Sequence, residues 1–139
     1  MQLYPRIIIE HNKSPKNFGR MNDATEILEA TIPSCGDQFK LYIKKEGDLI
    51  QRIMFDGDGC ALSKSSSSIM ITKIEGKTIS DVTTLINNFV KILKTKMESC
   101  SIDDNDLVAL FDTMKNHPGR DNCILLSWVT IQEHLVHRI

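Results

Sequence analysis

Aromatic residues are scarce in this chain, at 6% with a single tryptophan, and charge is almost balanced at a formal net −1. Bulk charge so near zero offers no electrostatic footprint for nucleic acid. No apolar run approaches the roughly 20 residues that a membrane-spanning helix needs, so no membrane partner is expected. The opening Met1-Gln2-Leu3-Tyr4-Pro5-Arg6 lacks the basic region, long apolar stretch and small-residue cleavage site of an export signal, and the expected location is the cytoplasm. Paired cysteines are also missing. Cys35, Cys60, Cys100 and Cys123 form no CxxC, which excludes zinc ribbons, zinc fingers and thioredoxin-like motifs as simple readings. In a reducing compartment such cysteines bind metal, react or are simply buried, rather than forming disulfides. Any site they share must be assembled from segments distant in sequence.

What is present suits one globular unit. The 139 residues are 41% hydrophobic and 25% charged, which fits a single domain over 1–139 with one core. Leu3 to Glu10 predicts a short leading helix with Ile7, Ile8 and Ile9 on its apolar side. His11 to Asn22, with Pro15 and Gly19, has loop character. Thr25 to Thr31 predicts a strand, and Phe39 to Lys44 alternates with the period of two that marks another. Glu46-Gly47-Asp48 signals a turn, and Leu49 to Phe55 returns as a third strand, ended by Asp56-Gly57-Asp58-Gly59. From Ala61 the pattern is helical. Ile79, Val82, Leu85, Ile86, Phe89, Val90 and Leu93 recur at three-and-four spacing, with Thr78 or Ser80-Asp81 as the start signal. Leu107, Leu110, Phe111 and Met114 mark a shorter helix stopped by His117-Pro118-Gly119. Ile124, Trp128, Ile131 and Leu135 mark the last. Strands followed by helices predict an α+β fold, a small antiparallel three-stranded sheet with helices packed on one face. The serine run Ser65 to Ser68 predicts close helix packing through small side chains.

Three cysteines fall at junctions between these elements. Cys35 lies in Pro33-Ser34-Cys35-Gly36-Asp37, where Gly36 permits backbone angles that let Cys35 and Asp37 turn toward one point. Cys60 immediately precedes a helix, and Cys123 opens the final one. A helix N-terminus favours negative charge and is expected to lower a cysteine pKa at both places. Cys35, Asp37, Cys60 and Cys123 make a tetrahedral Cys₃Asp set suited to Zn²⁺ or iron. The competing reading is plain: a lone intracellular cysteine is ordinarily a small buried hydrophobe, and Asp37 beside a glycine is an ordinary turn residue. Cys100, in the polar Glu98-Ser99-Cys100-Ser101, reads as incidental. His134 and His137, among Glu133 and Arg138, read as solvated. His117 lies beside the break, and His11 ends the first helix, where a cation is favourable.

Beyond these patterns, the string from Leu3-Tyr4 through Glu10-His11, Ser14-Pro15-Lys16-Asn17 and Gly19 resembles the opening of the SufU/IscU (NifU N-terminal-like) family of iron–sulfur cluster assembly. Pro33-Ser34-Cys35-Gly36-Asp37, Gly57-Asp58-Gly59-Cys60, the Ser63 to Met70 run, Glu75-Gly76-Lys77, Arg120, Cys123 and Leu126-Ser127-Trp128 continue the match in order along nearly the whole chain. The SufU branch fits better. The long Lys91 to Met114 region is similar to the extra segment of that branch, and Asn122 stands where IscU proteins carry a histidine and SufU proteins usually a lysine. Asn12, in place of a common aromatic, and Lys64, within the small-residue run, depart from the family pattern.

The resemblance implies a SufE/NifU-like fold and a zinc-dependent sulfur acceptor, taking persulfide sulfur from a SufS-type cysteine desulfurase for downstream iron–sulfur assembly proteins. Cys35 is the expected acceptor, since its glycine-adjacent turn moves without dragging a helix. Asp37, Cys60 and Cys123 are expected to retain the metal, while Arg120 offsets the negative charge of the site. Two alternatives share these ligands: a scaffold that builds and hands on a [2Fe–2S] cluster, and a binding domain whose zinc only stabilises the fold.

Overall fold

The computed structural model describes residues 4–32, 36–96 and 102–136. In chain order these form α1 (Arg6–Lys13), β1 (Glu26–Ile32), β2 (Asp37–Glu46), β3 (Leu49–Asp58), α2 (Ala61–Ile74), α3 (Ile79–Thr95), α4 (Asn105–Asn116) and α5 (Asp121–Val136). The strands make an antiparallel sheet in the order β1-β2-β3. Alternation along each strand decides its faces. Phe39, Leu41 and Ile43 of β2 pair across with Ala30, Leu28 and Glu26 of β1 and with Gly57, Phe55 and Ile53 of β3. This face packs against the helices, as expected. Gln38, Lys40 and Tyr42 point the other way.

Helix α1 starts three residues later than the sequence reading placed it. Pro5 sits at its N-cap, where a missing N–H costs nothing, and a proline deeper inside would break the helix. The segment read as a loop after α1 also has a sheet role. Phe55 N–H donates to Asn17 O at 3.1 Å and Gly19 N–H donates to Phe55 O at 2.8 Å, so the segment covers the outer edge of β3.

Helix α2 runs through the middle of the molecule, and serine explains how. Ser65, Ser66, Ser67 and Ser68 are all buried, and every hydroxyl is hydrogen-bonded. Ser65 Oγ donates to Ile8 O of α1 at 2.7 Å, and Ser66 Oγ donates to Ile124 O of α5 at 2.6 Å. Trp128 Nε1 donates to Ser66 Oγ, and Ser67 Oγ pairs with Ser127 Oγ. Small side chains let three helix backbones approach closely, and each buried polar atom is satisfied. Serine is an indifferent helix former alone; packing overrides that preference here. Phe39, Phe55, Leu62, Ile69, Met70, Phe89 and Trp128 belong to one hydrophobic core between sheet and helices.

Two histidines differ from their sequence reading. His134 is largely buried on α5, with its Nε2 against a carboxylate oxygen of Glu26 on the inner face of β1, so it is not solvated. His11 lies in the last turn of α1, but its Nδ1 meets Ser68 Oγ at 2.6 Å, and burial lowers its pKa, which disfavours the expected cation. His137 lies outside the described residues.

Candidate metal centre

Three segments deliver their side chains to one point. Asp37 is the first residue of β2, paired with Ile32 at the end of β1, and is only 2% exposed. Gly36, with φ +75°, makes the turn into the strand in a region that L side chains avoid. Cys60 is the N-cap of α2, and Cys123 lies in the first turn of α5 with 2% exposure. Arg120 O accepts from both Cys123 N and Ile124 N as the last helix begins, which fixes the direction of the Cys123 side chain.

One oxygen of Asp37 and the sulfurs of Cys60 and Cys123 all lie within 4.8 Å of one another. Asp37 Oδ1 accepts from Cys60 N at 3.0 Å, and its Oδ2 lies 3.9 Å from Cys60 Sγ. Ligand atoms on one tetrahedral zinc, at bonds of about 2.0 to 2.3 Å, stand roughly 3.5 to 3.8 Å apart. The observed spacing therefore fits a single cation with small adjustment. Two thiols and a carboxylate suit zinc or iron. Crowding three potential anions also has a cost without a cation. Burial pushes the Cys123 thiol up to about 12, and the hydrogen bond and charge of Cys60 and the charge of Asp37 add to the effect. This reverses the expectation that its helix N-terminus lowers the pKa: burial and neighbouring negative charge outweigh the helix dipole.

Arg120 is exposed beside this cluster. Its hydrogen bond to Cys123, followed by the charges of Cys60 and Tyr4, raises its pKa. Among the described residues, the converging set does not include His117, whose ring packs edge-on against Tyr4 with centroids 4.8 Å apart. Asn122 is exposed. Lys64 turns outward and places its Nζ 4.7 Å from the centre of the Phe18 ring. Cys35 and Cys100 lie outside the described residues. The sequence reading missed Ser63, which touches the Cys60 sulfur, and Gly59, which makes room for it. Ser63 stands at the i, i+3 spacing of a helix cap and its first-turn partner, but the serines that follow it hide that spacing.

A sheet with helices on one face, and a mixed thiol–carboxylate cluster where strand and helix ends meet, define the class. The chain belongs to the family of NifU-like N-terminal domains, whose model matches residues 3–132. Among its relatives is the zinc-dependent sulfurtransferase SufU of Bacillus subtilis, 34% identical over 131 residues, covering 94% of this chain and 88% of that protein. The iron–sulfur cluster assembly scaffold protein IscU of Thermotoga maritima is 33% identical over 135 residues, covering 96% and 92%. A crystal structure described as an iron–sulfur cluster assembly scaffold protein for the SUF system, from Fervidobacterium islandicum, superposes with a TM-score of 0.84 at 31% identity, covering 96% of each chain.

Proposed function

We propose that this protein is a zinc-dependent sulfur acceptor in iron–sulfur cluster assembly, receiving persulfide sulfur from a SufS-type cysteine desulfurase on Cys35. The observation that carries the reading is the convergence of Asp37, Cys60 and Cys123 within 4.8 Å. Cys35 is two residues from Asp37 in sequence, so chain connectivity allows it to complete a Cys₃Asp set. Zinc bound there holds its cysteine ligands as thiolates. Asp37 and Cys60 are tied to each other through the Cys60 N–H, and Cys123 is fixed by the start of α5. These three are the retained ligands. Cys35 is the nucleophile: its thiolate attacks the outer sulfur of the desulfurase persulfide, a new sulfur–sulfur bond forms, and the donor cysteine leaves as a thiolate. Electrons balance without an added oxidant. Arg120, exposed beside Cys123, offsets the negative charge of the site.

The relative named as a scaffold is almost as similar as the one named as a sulfurtransferase, and it motivates a second reading, assembly of a [2Fe–2S] cluster on the same ligands. One experiment separates the two. Zinc-loaded protein is incubated with a SufS-type desulfurase and cysteine without reductant, and the peptide containing Cys35 is weighed. A peptide heavier by one sulfur atom supports the acceptor reading. Persulfide confined to Cys60, Cys100 or Cys123 overturns the assignment of Cys35, and no persulfide, with iron and visible absorbance in the purified protein, selects the scaffold.

A further inference from the structure

Cys60 makes more contacts than a ligand at a helix start requires. Its sulfur accepts from Ser63 N at 3.5 Å, and Ser63 Oγ also lies 3.5 Å from the same sulfur. The hydroxyl has one proton and two acceptors in reach, because Cys60 O stands 3.1 Å away. That carbonyl already accepts from Lys64 N at 3.1 Å, so it stays satisfied if the hydroxyl turns aside. A neutral thiol is a weak acceptor and leaves the proton on the carbonyl. A thiolate accepts a charge-assisted bond, roughly twice as strong as a neutral one, and draws the proton to sulfur.

The space for this hydroxyl depends on the neighbouring residue. A Cβ at Gly59 would sit 2.7 Å from Ser63 Oγ and 2.4 Å from the Phe39 ring. Ser63 itself is 1% exposed, so water does not compete for its proton. We propose that the Ser63 hydroxyl is a positioning group for the Cys60 sulfur, donating to it when it is a metal-bound thiolate and so fixing Cys60 as a ligand that stays in place. The inference rests on the metal-site reading above. It divides labour among the cysteines: a thiolate that accepts hydrogen bonds is a poorer nucleophile and a better anchored ligand.

Cobalt(II) is the probe, because its thiolate charge-transfer band reports electron density on the sulfurs. Metal-free wild type, Ser63→Ala and Ser63→Thr are compared first by melting temperature, then titrated with cobalt(II). Zinc release to a chromogenic chelator is timed on the zinc-loaded forms. Ser63→Ala moves the band to lower energy and speeds zinc release by roughly 10-fold, the lower end of what losing a partner behind a metal ligand does. Ser63→Thr keeps the hydroxyl and stays near wild type in both. A Ser63→Ala protein with the wild-type band and release rate overturns the inference, and so does a Ser63→Thr protein that behaves like Ser63→Ala. If wild type itself develops no thiolate band, the metal-site reading fails, and this inference fails with it.

Discussion

The sulfurs of Cys60 and Cys123 face different surroundings. Cys60 is half-buried, with the Ser63 amide donating to its sulfur and the Ser63 hydroxyl beside it, whereas Cys123 is closed off and bordered by Cys60 and Asp37. Each is one of only four proposed ligands, so loss of either leaves a site that cannot close around zinc. Replacing Cys60 or Cys123 with alanine is expected to abolish stoichiometric zinc, while Cys100→Ala binds normally. Elemental analysis after gel filtration checks this, and full zinc in either of the first two variants would remove that residue from the set. The convergence of Asp37, Cys60 and Cys123 was legible because each stands where one element gives way to another, and such junctions are punctuated by Gly36, Gly59 and Pro118-Gly119. It did not show Ser63, because one hydroxyl in a serine-rich run has no periodicity to mark it. The direction of the Cys123 pKa was also illegible: it depends on burial and on neighbours distant in sequence, neither of which spacing reveals.

At the scale of elements, α1 and α2 meet through His11 and Ser68, with Lys16 N–H also donating to Ser68 Oγ at 2.7 Å. Burial lowers the His11 pKa; the charge of Asp106 opposes that, Lys73 reinforces it and Glu10 opposes it. A histidine whose folded pKa lies below its ordinary 6.5 binds fewer protons folded than unfolded in the window beneath that value. Its contribution is complete above the unfolded pKa and is lost as pH falls from there toward the folded one. Thermal melts at pH 7.5 and 5.5 are expected to show a larger drop for wild type than for His11→Gln. Equal drops would mean that His11 carries no such linkage. Strand and helix order was readable from periodicity, since β2 and α3 alternate and repeat over long stretches. The start of α1 was not, because Ile7 to Ile9 looks the same in a helix begun at Leu3 or at Arg6, and only Pro5 decides. The partner of His134 was hidden too: Glu26 lies on a strand more than a hundred positions away from that helix residue.

The whole molecule depends on where its three ligand-bearing segments begin. β2, α2 and α5 each start at the cluster and run away from it through the core, so one ion would join the sheet, the central helix and the last helix at their origins. Binding free energy at such a point adds to folding free energy, by about 2.7 kcal/mol when free metal exceeds its dissociation constant a hundredfold. At roughly 3 °C per kcal/mol for a domain of this size, chelation is expected to lower the melting temperature by about 8 °C. Scanning calorimetry with and without chelator measures it, and an unchanged midpoint after verified metal loss would make these cysteines ordinary core residues. The Cys60 cap extends this coupling to chemical damage. Its sulfur closes the first turn of α2 through the Ser63 amide, so alkylation or oxidation at that atom removes a helix cap together with a ligand. The injury would propagate as fraying along the helix against which α1, α4 and α5 all pack. Deuterium uptake at the amides of Ser63 and Lys64 would record it before any global unfolding.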